Sequence, residues 1–224
     1  MILCVETSQD ICSVALFNQG QLLSSKESTE KNSHNKLITI LIQETLTEAS
    51  VSVSQLQAAM LSSGPGSYTG LRVGSSALKG LCYGLQIPLM SMPSLQLIAY
   101  QASLEQEADI YIPMIDARRM EVFEQQYDNN LLPVTAPRAY ILDEKYISTL
   151  EVEKKYIACG NGAIKLTDLL GNSRNINIMS DYFPMARFMG KFALEKFNQK
   201  QFENLAYFEP FYLKSFGEKA ANDI

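Results

Sequence analysis

Histidine is almost missing from this 224-residue chain, and His34 is its single instance. One imidazole excludes a two-histidine metal site within one subunit, and any Ser-His-Asp or Cys-His set would have to be assembled around that residue. His34 stands in a polar stretch ahead of a helical pattern, where a solvated or capping role is the simpler assignment. Paired cysteines are missing too. Cys4, Cys12, Cys82 and Cys159 are scattered with no C-x-x-C, which points to reduced, packed thiols instead of a zinc site or a disulfide framework. Basic residues are not in excess: 19 Lys and Arg face 24 Asp and Glu, for a net charge of −5, so the surface as a whole has no field that would draw phosphate backbones. No uninterrupted apolar run approaches the roughly 20 residues of a membrane span. The start, MILCVETSQD, has neither a basic region nor a small-residue cleavage site, so a cytoplasmic protein without membrane contact is expected.

What the chain does have is a concentration of glycine. Six of its twelve glycines lie between Gly64 and Gly84, in SSGPGSYTGLRVGSSALKGLCYGL. The apolar run Ala58 to Leu61 stops at Gly64-Pro65-Gly66, and Leu71, Val73, Leu78 and Leu81 then recur in a regular pattern, which predicts strand, tight turn and helix. Backbone N–H groups at such a junction form a natural anion site. The spelling nevertheless fits neither common phosphate loop. A Walker loop needs Lys and then Ser or Thr after its last glycine, where this chain has Leu71-Arg72, and a dinucleotide fingerprint needs glycine where it has Thr69. A purely structural turn accounts for the glycines as well as an anion site does. Gly70, Gly74, Gly80 and Gly84, with Ser75, Ser76 and Ala77, leave much of the helix without bulky side chains. Each interior glycine costs about 1 kcal/mol relative to alanine, and close approach of another helix, internal or from a partner, would offset that cost.

Before this stretch the pattern predicts strands at Ile2–Val5, Ile11–Asn18 and Gln21–Glu27 in an antiparallel meander, a polar loop from Lys26 to Asn35, and a helix over Lys36–Ala49 capped by Asn32 or Ser33. That helix carries the chain back to the Ala58 strand, as a parallel crossover does. After Gly84 come a short extended piece at Ile87–Met90 and a helix at Pro93–Leu104. The polar run Glu105 to Asp109 marks a lobe boundary, and a second meander follows: Tyr111–Ile115, a reversal at Asp116–Arg119, and Glu121–Tyr127. A helix from Asp143 to Leu150, a buried strand at Tyr156–Cys159, a turn at Gly160-Asn161-Gly162 into a helix at Ala163–Leu170, a strand at Ile176–Met179 and a helix opened by Pro184 complete the order. The repeat predicts a duplicated α/β architecture: lobes 1–104 and 105–216, with 217–224 as a tail. Glu6, Asp10 and Asp116 could line a cleft and hold magnesium, although acidic residues also favour strand ends and turns. Arg118 suits either an anion or a surface salt bridge.

Taken in order, ILCVETSQDICSVAL, SSGPGSYTGLRVGSSALKGL, IDARRMEVFEQQYD, CGNG and EPFYLKSF make the chain resemble the TsaB (YeaZ) family of bacterial tRNA threonylcarbamoyladenosine biosynthesis proteins. The GPGS-[FY]-TGLR-[IV]-G block is uninterrupted from Gly64 to Gly74. The DAR-x-x-EV-[FY] block is carried by Asp116, Ala117, Arg118, Glu121, Val122 and Phe123. The resemblance implies a two-lobe ASKHA (actin-like ATPase, ribonuclease-H-like) fold with duplicated mixed sheets flanked by helices. It implies an accessory, non-catalytic subunit that binds and activates the catalytic paralogue TsaD together with the ATPase TsaE, reaching tRNA only through the complex and forming a homodimer in isolation. The family's docking helices map here onto Leu37, Leu41, Arg72, Val73, Ser76, Leu78, Lys79 and Gly80. A nucleotide or anion site, for weak ATP or ADP with magnesium and with no cofactor required, would map onto Glu6, Ser8, Gly64, Gly66, Ser67, Asp116, Gly160 and Gly162.

TsaD-like chemistry uses an H-x-x-x-H metal pair; here His34 is followed four places on by Ile38, so no metal site and no catalytic residue is expected. The alternatives are a magnesium-dependent ASKHA-type ATPase or phosphotransferase and, more remotely, a metallopeptidase. The chain departs from the family spelling at Glu6, where aspartate is usual, and at Lys214, where arginine is frequent.

Overall fold

The computed structural model describes residues 1–30, 34–170 and 175–214. The chain divides into two compact units, Met1–Leu97 with Pro184–Phe211 and Ile98–Phe183 with Tyr212–Ile224.

In the first unit, β1 (Ile2–Glu6), β2 (Cys12–Asn18) and β3 (Gln21–Ser28) form the expected antiparallel meander. The helix α1 (His34–Glu48) then crosses over to β4 (Ala58–Gly64), which runs parallel to β1. After α2 (Tyr68–Leu85), β5 (Leu89–Pro93) pairs parallel to β4, completing the sheet order β3-β2-β1-β4-β5. Alternate side chains of β1 go to opposite faces, and both faces are covered, as the near-continuous apolar spelling requires. Leu3 and Val5 pack with Ile38, Leu41, Leu46, Leu78 and Cys82 of α1 and α2. Ile2 and Cys4 pack on the other side with Met60, Met90, Ala186, Met189 and Ala193.

The second unit begins within α3 (Ser94–Ser103). Its strands are β6 (Ile110–Asp116), β7 (Glu121–Glu124), β8 (Tyr127–Asp128), β9 (Arg138–Ile141), β10 (Tyr156–Cys159) and β11 (Ile176–Met179), with the short helix α4 (Glu144–Ser148) before β10. The order β11-β10-β6-β7-β9, with β8 on β6, repeats the first sheet strand for strand. A central strand has two antiparallel neighbours in succession on one side (β7 then β9, as β2 then β3) and two parallel ones on the other (β10 then β11, as β4 then β5). The duplication expected from the meanders is therefore present in the pairing itself.

Four expectations change. The division at 104/105 moves into α3, and the segment opened by Pro184 returns to the first unit, because α5 (Gly190–Asn198) and the 3-10 turn before it (Ala186–Phe188) cover the bare face of the first sheet. The helix predicted over Ala163–Leu170 is a single 3-10 turn, Ala163–Leu166. The strand predicted over Glu121–Tyr127 is split into β7 and β8, and β9 had no counterpart in the pattern. The Asn32 or Ser33 cap and the tail 217–224 lie outside the described residues.

Candidate functional site

The glycine-rich stretch reads as predicted: strand β4, turn, helix α2. Ser67 caps the helix, its hydroxyl accepting from the Gly70 N–H at 3.2 Å, and its own N–H donates to the Ser8 carbonyl at 2.7 Å. Gly64 closes β4 at φ 107°, a conformation open to glycine, and a Cβ there would stand 2.5 Å from the Phe211 carbonyl oxygen. The helix then lies against the turn after β1. A Cβ at Gly66 would fall within 3.0 Å of Ser8, and at Gly70 or Gly74 within 3.0 Å of Thr7. These three glycines are thus accounted for by close packing.

Gly80 and Gly84 differ, since among the described residues nothing lies within 4 Å of where their Cβ would be. They belong to an outward stripe with Arg72, Ser76 and Tyr83, the last 81% exposed. Arg72 stacks over the Tyr68 ring at 4.1 Å. Of the residues mapped to docking, Arg72, Ser76 and Gly80 are therefore exposed, while Leu37 and Val73 are partly buried against the core. Leu41 and Leu78 are corrected: at 6% and 0% exposure they are core residues, because the apolar spacing of each helix turns them onto the sheet. Lys79 is half-buried, and its Nζ donates to the carbonyls of Ala206 (3.2 Å) and Phe208 (3.0 Å), so it ties down the chain's last stretch instead of reaching outward. Tyr83 and Gly84 extend the stripe beyond the residues mapped to docking; Gly84 belongs to the small-residue set the sequence already shows, whereas the exposure of Tyr83 carries no pattern signal of its own.

The anion-site residues fall into two groups, each within its own unit. Around the β1–β2 turn lie Glu6, Ser8, Gly64, Gly66 and Ser67. Glu6 is wholly buried, its carboxylate accepting from the Ser8 N–H and the Ser62 hydroxyl. Loss of hydration raises its pKa to about 7, against the opposing effect of those hydrogen bonds. As a ligand for a bound cation Glu6 is thus badly placed, whereas the neighbouring turn is short of partners: among the described residues Ser8 Oγ and both amide atoms of Gln9 are buried with none.

In the second unit, Gly160 (φ 99°) and Gly162 occupy the places of Gly64 and Gly66. A Cβ at Gly160 would stand 2.5 Å from the Met114 carbonyl oxygen, and the Gly162 N–H donates to that same oxygen at 2.9 Å. Asp116 is held by Lys165 Nζ (2.5 Å) and by the Arg118 N–H (2.6 Å), which commits its carboxylate to the hairpin. Lys214 Nζ meets Glu121 Oε2 at 2.5 Å. Among the described residues no three His, Cys, Asp or Glu gather as a metal site would require. Ile38, four places after His34, is in the core. No described helix is long and apolar enough to cross a membrane.

With this geometry in view, the similarities to known proteins are specific. Residues 21–217 match the family model described as TsaD: tRNA N6-adenosine threonylcarbamoyltransferase. The chain is 34% identical over 125 residues to the tRNA threonylcarbamoyladenosine biosynthesis protein TsaB of Haemophilus influenzae, covering 56% of this chain and 52% of that one. It is 32% identical over 129 residues to TsaB of Escherichia coli, covering 58% and 55%. The alignments thus span about half the length of these curated relatives. Among solved structures, YeaZ from Pseudomonas aeruginosa superposes with a TM-score of 0.82 at 25% identity, covering 95% of this chain and 99% of that one.

Proposed function

Because the chain belongs to the TsaD family, as a TsaB (YeaZ) member with the ASKHA-like fold, we propose that it is a non-catalytic accessory subunit in threonylcarbamoylation of the adenosine beside the anticodon, in tRNAs reading codons that begin with A. In this reading it binds and activates a TsaD-type paralogue that works with a TsaE-type ATPase, meets tRNA only within that complex, forms a homodimer when alone, and acts in the cytoplasm. The observation that carries the reading is the outer stripe of α2. Gly80 and Gly84 sit inside a helix at about 1 kcal/mol each relative to alanine, and among the described residues no internal neighbour exploits the space they leave. A partner's backbone approaching Arg72, Ser76, Gly80 and Tyr83 supplies the missing reason. The test is reconstitution of the modification from purified components with and without this chain, with Gly80→Leu as the variant. Loss of co-elution with the paralogue and loss of modification, at a stability no lower than that of the parent chain, is the expected result; full co-elution of Gly80→Leu refutes the docking face.

A second reading is favoured by the unpartnered Ser8 and Gln9 atoms beside the N-terminus of α2: weak binding of ATP or ADP with magnesium at this turn, as in an ASKHA-type ATPase or phosphotransferase. It requires a nucleotide-dependent rise in melting temperature that Ser8→Ala reduces, and magnesium-dependent turnover by the isolated chain. Absence of both excludes it.

A further inference from the structure

Residues 203–211 form a strap over the first unit, fixed at both ends. The Glu203 N–H donates to the Leu89 carbonyl of β5 at 2.8 Å, and the Phe211 N–H donates to the Ser63 carbonyl of β4 at 2.7 Å. Phe208 enters the buried cluster that holds Ile38, Leu41 and Leu78. Its neighbour Tyr207 goes the other way and is 83% exposed. Lys79 Nζ donates to the carbonyls on either side of that tyrosine, Ala206 at 3.2 Å and Phe208 at 3.0 Å. The Asn204 side-chain oxygen accepts from the Ala206 and Tyr207 N–H groups at 3.1 and 3.3 Å.

A single exposed aromatic is common on protein surfaces, but Tyr207 is not alone. The strap meets α2 at Lys79, and Tyr83, four places on and so on the same flank of the helix, is 81% exposed. The two rings thus border the open space at Gly80. Charge narrows the choice of partner. Arg72 is exposed, stacks over the Tyr68 ring at 4.1 Å and, among the described residues, meets no carboxylate. The helix α2 itself contains no Asp or Glu. A second copy laid α2 against α2 would bring neither Arg72 a counter-charge, whereas a helix of different sequence can.

We propose that the strap is the second wall of the docking surface, where Tyr207 and Tyr83 anchor a carboxylate-bearing helix of the TsaD-type paralogue laid over Gly80. Lys79 serves that contact as a positioning residue, through the strap and without touching the partner. The inference rests on the functional reading above. Aromatic side chains are the usual anchors of an interface, and a backbone already held by Lys79 and Asn204 has little freedom left to lose on binding.

The test is titration of the full-length chain with the purified paralogue. Tyr207→Ala should raise Kd about 30-fold at an unchanged melting temperature, and Tyr207→Phe, which keeps the ring, should stay within about threefold of the parent. Lys79→Met should also weaken binding, and Tyr207→Ala should add little in that background, because both changes act on one anchor. Salt should weaken the parent more steeply than Arg72→Gln. Parent-like binding by Tyr207→Ala, where Gly80→Leu abolishes it, overturns this inference alone. So does a fully additive loss in the double variant, which would give Lys79 a partner contact of its own, and so does a salt dependence that Arg72→Gln leaves unchanged. Loss of self-association without loss of paralogue binding in Tyr207→Ala overturns it as well, by making the strap a contact between copies. Failure of the parent chain to bind the paralogue overturns the functional reading and this inference with it.

Discussion

Gly70 of α2 sits on the carbonyl of Thr7 so closely that the helix has no room there for a single added carbon. Gly70→Ala should therefore force the helix off the turn and lower stability by about 1–3 kcal/mol, seen as a lower midpoint in urea. Gly80→Ala, ten residues along the same helix and in open space, should raise stability by about 1 kcal/mol. Opposite signs for one substitution at two glycines are the signature of the division between an inner and an outer set.

Leu78 and Ser76 separate core from surface in the same way. Leu78→Ala removes a wholly buried side chain and should cost about 2–5 kcal/mol. Ser76→Leu, on the exposed stripe, should change stability by no more than about 0.5 kcal/mol while reducing co-elution with the paralogue.

Glu6 makes the stability of the fold depend on pH. Burial lifts its folded-state pKa from the ordinary 4.5 to about 7. The native state therefore holds the proton more tightly than the unfolded chain, and stability falls as pH rises between those values. Its contribution is complete below about 4.5 and is lost as pH passes through about 7, by roughly 3 kcal/mol in all. Glu6→Gln should flatten this part of the stability profile and leave the variant the more stable protein at pH 8. The Gln side-chain oxygen keeps the Ser8 N–H, and the Ser62 hydroxyl can turn to accept from the amide. Urea midpoints at pH 5 and pH 8 for both proteins decide the matter.

Lys79 ties the stretch from Glu203 to Phe211 onto the first unit. Lys79→Met keeps the stem and removes both hydrogen bonds from the ammonium to the carbonyls of Ala206 and Phe208. The expected loss is about 1–3 kcal/mol, with faster amide hydrogen exchange in residues 205–211 than in β1.

The layered organisation was legible in the sequence because it is written in periodicity. Ile2 to Val5, Ile11 to Asn18 and the Leu37-Ile38-Leu41-Ile42-Leu46 series each specify one element, and their repetition after Asp109 specifies the duplication. The docking residues come from the resemblance and not from periodicity, and that mapping puts Leu41 and Leu78 on a surface although their own helical spacing turns them to the core. Lys79 misled for a related reason: its partners are main-chain carbonyls more than a hundred residues away, and no local pattern encodes them. The return of Pro184–Phe211 to the first unit has the same origin, since Met185, Phe188, Met189 and Phe192 announce an apolar face but not the sheet that it covers. The glycines were visible, but their separation into packed and open sets needed coordinates. Lys214, where the family often carries arginine, proves to meet the Glu121 carboxylate through one Nζ contact, an arrangement a point charge satisfies without a fork.

The late return of the chain to its first sheet also sets an order on synthesis. Residues Met1–Leu97 leave the ribosome with Ile2, Cys4, Phe17, Met60 and Met90 facing nothing, because Ala186, Met189 and Ala193 have not yet been made. At ~5–20 residues per second the intervening Ile98–Phe183 takes roughly 4–17 s to appear. For that interval the nascent chain shows an apolar sheet face to solvent, the kind of surface chaperones bind, and a ribosome stalled before Pro184 would hold a product unable to close its own core.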